Sequence, residues 1–105
     1  MIVLIDDIRN HPEANVILRT SEDALSFLRK NGENIISELW LDHDLGDEDT
    51  IRPVVDYIEE RCFDGDPIPI EVIIAHTANP IGRDYILNSR ILNEEYELRT
   101  GSLTI

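Results

Sequence analysis

Three apolar runs in this chain each end abruptly in polar side chains. The first two runs, at residues 2–5 and 39–41, stop at carboxylates, and the third, at residues 72–75, stops at a histidine. Runs that are apolar at every position are typical of parallel strands covered on both faces by helices. Such strands ending in reactive side chains predict a binding or active site along one edge of a sheet. The polar ends are Asp6-Asp7, Asp42-His43-Asp44 and His76-Thr77-Ala78-Asn79.

The order of the predicted elements is that of an open α/β sheet. Right-handed crossovers favour the strand order 2-1-3-4 in a three-layer arrangement with helices on both faces. The ends of strands one and three then lie at the topological switch point, with strand four beside strand three, so the polar ends meet at one edge. The predicted strands are residues 1–7, 15–18, 36–41 and 70–75. The first predicted helix starts at Thr20 or Ser21 and ends near residue 31. The second runs from Asp49 or Thr50 to about residue 62, and the third from Asn79 to about residue 92.

Two segments have less regular patterns. Residues 8–14 contain His11-Pro12 and are predicted to be a loop, so no helix is expected between strands one and two. Residues 96–105 alternate polar and apolar side chains around Gly101, which predicts a fifth strand at the sheet edge or a small hairpin. The length of 105 residues favours a single domain over residues 1–105.

Composition excludes several classes of function. The net charge of −13 repels a nucleic-acid backbone, so duplex DNA binding is not expected. A small phosphate ester or an RNA end remains compatible if a divalent cation offsets the carboxylates. No run of about eighteen apolar residues is present, so no membrane span is expected. The single cysteine, Cys62, is predicted to be a buried thiol on a helix and fits a reducing cytoplasm.

Four carboxylates, those of Asp6, Asp7, Asp42 and Asp44, are predicted to crowd one edge of the sheet. Carboxylates this close repel one another and either take up protons or bind a counter-charge. A hard divalent cation such as Mg²⁺, or another divalent ion, satisfies that requirement with oxygen ligands. We therefore predict a metal or phosphoryl site at this edge.

His43 and His76 follow adjacent strands and are predicted to serve as general acid and base, or one of them as a metal ligand. Side chains alternate along a strand, so a regular strand through Asp44 would direct His43 away from Asp42 and Asp44. A bend at the strand end would remove that conflict.

Four further side chains are candidates for binding phosphate oxygens. Arg9 and Arg83 could clamp phosphate, and Thr77 and Asn79 offer a hydroxyl and an amide at the same edge. Asn79 is also predicted to cap the helix that begins at Pro80, and the start of that helix is expected to present free N–H groups and a positive dipole end.

The motif set resembles the receiver domains of two-component signalling. The matching positions are the pair Asp6-Asp7, Asp42 at the end of strand three, and Thr77-Ala78 after strand four. The resemblance implies Mg²⁺ binding and acceptance of a phosphoryl group on Asp42. The receiver Lys-Pro after strand five is absent, as is the helix between strands one and two.

Residues 1 to 92 are more similar to a narrower group, the cyclic-phosphate processing receiver-like domains, a catalytic offshoot of receivers. Three motifs carry this resemblance, which implies a receiver/flavodoxin-like fold and action on cyclic phosphate ends such as the 2′,3′-cyclic phosphates of damaged RNA. They are Asp6-Asp7-Ile8-Arg9-Asn10, Leu41-Asp42-His43-Asp44-Leu45-Gly46 and His76-Thr77-Ala78-Asn79-Pro80-Ile81-Gly82-Arg83.

The leading hypothesis is a metal-dependent phosphoesterase that opens a cyclic phosphate. Asp6, Asp7 and either Asp42 or Asp44 would bind the metal, and His43 and His76 would transfer protons. One alternative is a receiver-like signalling module that is phosphorylated on Asp42 without turnover. Another is an acidic module that binds a protein partner.

Overall fold

Five parallel strands form one open sheet, in the order β2-β1-β3-β4-β5, in the computed structural model, which describes residues 1–103. The predicted α/β class, receiver/flavodoxin-like topology and strand order are confirmed, and the tail supplies a parallel fifth strand at the edge. The last two residues of the predicted 96–105 segment lie outside the described residues. The strands are β1 Ile2–Ile5, β2 Val16–Leu18, β3 Ile36–Leu41, β4 Ile70–Ala75 and β5 Glu97–Thr100; the helices are α1 Ser21–Asn31, α2 Arg52–Phe63, α3 Pro80–Leu87 and α4 Arg90–Glu95.

The strand register aligns the polar strand ends. Ile5 pairs with Leu41, and Leu41 pairs with Ala75. The backbone N–H of Asp42 donates to the carbonyl of Ile5 at 3.0 Å, and that of His76 donates to Leu41 at 2.8 Å. Asp6, Asp42 and His76 therefore lie side by side, one residue beyond the last pairs of three neighbouring strands.

The helices cover one face of the sheet, so the number of layers differs from the expected three. Buried side chains from all four helices join one core with Val3, Ile5, Leu39, Leu41 and Ile73, whereas Leu4 and Ile74 are buried outside it. The connections from β2 to β3, β3 to β4 and β4 to β5 all step in the same direction across the sheet. Right-handed crossovers in one direction place their helices on one face. The predicted absence of a helix between β1 and β2 leaves the other face without one in residues 1–103.

We call this second side of the sheet the open face. A cavity of about 370 Å³ lies on it, between Glu38, Trp40, Val72 and Thr100. The Trp40 indole donates from Nε1 to Glu38 at 2.8 Å, and its ring packs edge-on against His11 and His76. The open face is therefore lined by an aromatic side chain that extends to the polar edge.

Two helix predictions need correction. The helix predicted from residue 80 to 92 is two helices, because the Ser89 hydroxyl accepts from the Leu92 N–H at 3.2 Å and caps α4. Neither Asp49 nor Thr50 is the N-cap of α2, which is Ile51 without a side-chain cap, although the Thr50 hydroxyl accepts from the Arg52 N–H at 3.3 Å. The Asp49 carboxylate accepts instead from the N–H and hydroxyl of Ser21 at 2.8 and 2.5 Å. Thr20 caps α1 through the Asp23 N–H, as predicted. Cys62 is half-buried rather than fully buried.

Among residues 1–103, no helix is both long enough and apolar enough to cross a membrane.

Replacing Gly101 with Ala should destabilise the protein, because a Cβ there would lie 2.6 Å from Ile74 Cγ2 and 2.8 Å from Trp40 Cζ3. We expect a loss of about 1–3 kcal/mol in the free energy of unfolding by urea, together with a change in Trp40 fluorescence. Ser102→Ala, at an exposed neighbouring position, is the control and should be close to neutral. A Gly101→Ala protein as stable as wild type would contradict this packing.

Candidate active site

Three carboxylates converge at the polar edge. One oxygen from each of Asp6, Asp7 and Asp42 lies within 4.8 Å of the other two. Asp6 is fully buried and Asp42 is 4% exposed, while Asp7 is half-buried. We call this group the acidic cluster. Carboxylate oxygens at this spacing, in partly buried positions, fit the ligand chemistry of a hard divalent cation. Asp42, rather than Asp44, completes the group.

Local hydrogen bonds fix the Asp6 side chain. Its Oδ1 accepts from the N–H groups of Ile8 and Arg9 at 3.0 and 2.8 Å, which forms a tight turn at the end of β1. Its Oδ2 lies 2.9 Å from His76 Nε2. Since a carboxylate can only accept, the imidazole donates from Nε2. His76 thereby orients Asp6 within the acidic cluster.

The surroundings of Asp42 disfavour the ionised form of its carboxyl group. Burial, reinforced by the charge of Asp6, raises the pKa of Asp42 from 3.8 to about 6, although the Thr77 hydroxyl and Arg9 act in the opposite direction. Arg9 Nη1 lies 3.8 Å from Asp42 Oδ2 and 3.6 Å from Asp6 Oδ2. One guanidinium therefore offsets only part of the charge of the cluster, and a cation bound there would remove the remaining repulsion.

A cavity of about 220 Å³ opens beside the acidic cluster. It has the volume for a small phosphate group together with its ligands, and its walls mix carboxylates with hydrogen-bond donors. Most of the predicted metal and phosphate ligands lie on it. Its lining consists of Asp7, Ile8, Arg9, Asp42, Asp44, Thr77, Ala78 and Asn79.

Asp44 lies on this cavity but outside the acidic cluster. Its Oδ1 accepts from His43 Nδ1 at 3.0 Å, and its Oδ2 accepts from Asn79 Nδ2 at 3.4 Å. The hydrogen bond from His43 is the main cause that lowers the pKa of Asp44. Because its side chain is 61% exposed, Asp44 presents an ionised carboxylate to whatever enters the cavity.

Neither His43 nor His76 lines the cavity. His76 is on the open-face side, against Trp40, whereas the His43 ring packs on the helical side against Gly82 and Tyr85. The chain bends at His43, and the imidazole hydrogen-bonds Asp44, but the bend does not direct His43 to the acidic cluster. His43 Nε2 is buried and has no hydrogen-bond partner among residues 1–103. The proton-transfer roles of both histidines stay predictions.

Asn79 caps α3, as predicted, but the start of this helix does not offer the free N–H groups expected for phosphate binding. The Asn79 Oδ1 accepts from the N–H groups of Ile81 and Gly82 at 3.0 and 3.2 Å, so these donors are already bonded. Pro80 has no N–H to offer. Arg83, on the first turn, does not line the cavity, in contrast to Arg9.

Sequence reasoning missed two residues that shape the site. Gly82 makes room for His43, since a Cβ on it would lie 2.4 Å from His43 Cγ. Arg19 holds the segment after β1 through hydrogen bonds to Asp6, Arg9 and Asn10. A glycine inside a predicted helix was a signal available for Gly82. Nothing in the sequence distinguishes Arg19 from other charged residues.

Asp42→Asn should stabilise the metal-free protein at pH 8 by about 1–3 kcal/mol, because it removes a buried charge from the acidic cluster. The folded-state pKa of about 6 exceeds the ordinary value of 3.8, so the wild-type carboxyl costs no stability below pH 3.8, an increasing amount as pH rises from 3.8 to about 6, and the full amount above that. The gain should therefore shrink below pH 6 and disappear only near or below pH 3.8. Thermal unfolding of wild type and variant in EDTA, at pH 8 and near pH 3.8, measures this difference in stability. A variant less stable than wild type at pH 8 would contradict the cost of the buried Asp42 charge.

Gly82→Ala separates packing from helix propensity. Propensity alone favours Ala by about 1 kcal/mol in a helix. The contact with His43 should outweigh that gain, so we expect net destabilisation and loss of the His43–Asp44 hydrogen bond. Urea denaturation and ¹⁵N shifts of the imidazole measure both effects. Ile81→Ala, at an exposed site on the same turn, is the control; a stabilised Gly82→Ala protein would refute the contact.

Comparison with known proteins gives one match. A family model described as the cyclic-phosphate processing receiver domain matches residues 1–90. No curated protein and no solved structure matches the chain. The matched segment contains every candidate site residue and all strands except β5. The chain belongs to the cyclic-phosphate processing receiver domain family.

Proposed function

We propose that this protein is a metal-dependent phosphoesterase that opens cyclic phosphate ends, with a 2′,3′-cyclic nucleotide or RNA end as its substrate. The observation that carries the proposal is the acidic cluster at the wall of a cavity that also contains cationic and neutral hydrogen-bond donors. Family membership supports the same substrate class. We also propose a cytoplasmic location, consistent with the single cysteine.

The acidic cluster is the proposed metal site, with Asp6, Asp7 and Asp42 as the ligands and Mg²⁺ as the favoured ion. A bound divalent cation would supply electrophilic polarisation of the phosphoryl oxygens. Without it, the −13 charge of the protein would repel a phosphate ester. His76 would keep Asp6 in its ligating orientation through the Nε2 hydrogen bond.

In the proposed complex, donors on the cavity wall would bind the phosphate oxygens. Arg9 supplies a guanidinium, and Thr77 and Asn79 supply a hydroxyl and an amide. In the proposed hydrolysis, a water oxygen bonds to phosphorus while the P–O2′ or the P–O3′ bond breaks. The released ribose oxygen takes up a proton, and the product is a phosphate monoester.

Asp44 is the group we propose to orient the attacking water. It is an exposed carboxylate on the cavity and does not belong to the acidic cluster. The His43 Nδ1–H and the Asn79 amide fix its two oxygens. In this arrangement His43 acts through Asp44 rather than on the substrate.

The proposal is tested with 2′,3′-cyclic nucleotides and Mg²⁺, with ³¹P NMR to detect the phosphate monoester. We expect turnover that EDTA abolishes, and a loss of about 100-fold or more in kcat/KM for Asp42→Asn. Asp47→Asn is the matched control, since it makes the same change at an exposed position outside the cavity.

Absence of turnover in wild type, or equal loss in both variants, would contradict a phosphoesterase. Stable labelling by acetyl phosphate that Asp42→Asn abolishes would instead favour the receiver-like signalling module.

A further inference from the structure

The segment that follows β1 carries much of the candidate site but lacks a helix to support it. Asp7 and Arg9 both line the cavity, and they lie in the irregular connection between β1 and β2. An irregular segment of this kind is held only by its specific hydrogen bonds. The Asp6 carboxylate accepts hydrogen bonds from the Ile8 and Arg9 N–H groups in this turn. The backbone carbonyls of Asp6 and Arg9 need a donor from elsewhere in the chain.

Arg19, the residue after β2, is that donor. Its Nη1 donates to the backbone carbonyls of Asp6 and Arg9 at 3.2 and 2.5 Å, and its Nη2 donates to Asn10 Oδ1 at 2.6 Å. A planar guanidinium presents several donors in fixed directions, so a single side chain can define the geometry of three acceptors. The Asp6 N–H also donates to Leu18 at 3.0 Å, which anchors the start of the segment to the end of β2.

Arg19 uses its donors differently from the other arginine at this edge. Arg9 lies within 4 Å of the Asp6 and Asp42 carboxylates, whereas no salt bridge among residues 1–103 involves Arg19. Its three acceptors are two main-chain carbonyls and one side-chain amide. Arg19 therefore contributes to the shape of the segment rather than to direct neutralisation of the acidic cluster.

We propose that Arg19 is a positioning residue, whose guanidinium holds residues 6–10 so that Asp7 and Arg9 face the cavity. Its effect on metal binding rests on the proposed function above, while its effect on the segment does not. Removing a residue that orients metal ligands through hydrogen bonds typically weakens metal binding by 10-fold or more. Arg19 directly follows β2, the strand that pairs with β1, after which Asp6 and Asp7 lie.

Hydrogen exchange in the metal-free protein tests the positioning role directly. Arg19→Met should increase amide exchange at Ile8 and Arg9 by about 10-fold or more, because the segment loses three hydrogen bonds. Arg90→Met removes the same charge from an exposed side chain and should leave those amides unchanged. Low concentrations of guanidinium should restore part of the protection in Arg19→Met.

Mg²⁺ titration, followed by thermal shift, tests the consequence for the acidic cluster. We expect Arg19→Met to weaken Mg²⁺ binding by about 10-fold and Arg90→Met by less than 2-fold. If Arg19→Met does not fold, Arg19→Lys decides the question, since it keeps the charge but loses the fork of donors. Arg19→Lys should then show the faster exchange at Ile8 and Arg9.

Unchanged exchange at Ile8 and Arg9 in the folded Arg19 variant would overturn the inference. A wild-type protein that fails to bind Mg²⁺, but whose segment loosens in the variant, would refute the metal site and leave the positioning role intact.

Discussion

Repulsion among buried carboxylates is the constraint on which the site depends. Asp6 and Asp42 follow strands that pair in register, so the sheet itself places them side by side, and Asp7 adds a third charge. Arg9, two hydrogen bonds to Asp6 Oδ1 and the imidazole of His76 offset part of this cost. Burial, and after it the charge of Asp6, still raises the pKa of Asp42, so these contacts do not fully compensate the buried charge. An arrangement that keeps a destabilising charge in place is typical of functional sites.

The two histidines illustrate how strand geometry assigns roles. They follow neighbouring strands, but His76 occupies the same side of the sheet as Asp6 and Asp42, and His43 the opposite side. Each donates to a carboxylate, His76 to Asp6 and His43 to Asp44. Each imidazole therefore restricts the orientation of one carboxylate, and neither histidine lines the cavity.

The one-sided distribution of helices has a consequence for the site. The connection between β1 and β2 would be the crossover to run on the open face, and here it is irregular. Because the segment after β1, residues 6–10, contains no helix, side-chain hydrogen bonds must fix its conformation. Arg19 accordingly donates to the main-chain carbonyls of Asp6 and Arg9. The same absence leaves Trp40 half-buried and the cavity of about 370 Å³ beside it.

The first four strands, their order and the edge where the polar residues meet could be predicted from the sequence alone, because apolar runs and crossover handedness are local and general properties. It also predicted that the carboxylates of Asp6, Asp7, Asp42 and Asp44 lie near one another, since residues that follow a buried strand lie at the edge of the sheet, but it left open whether Asp42 or Asp44 joins Asp6 and Asp7. The roles of Arg19 and Gly82, and the pairing of His43 with Asp44, became evident only from the three-dimensional arrangement. Arg19 and Gly82 contact residues distant in the chain, and neither periodicity nor residue type records such contacts. The His43–Asp44 hydrogen bond joins neighbours, but it depends on the path of the chain after β3, which the sequence pattern did not settle.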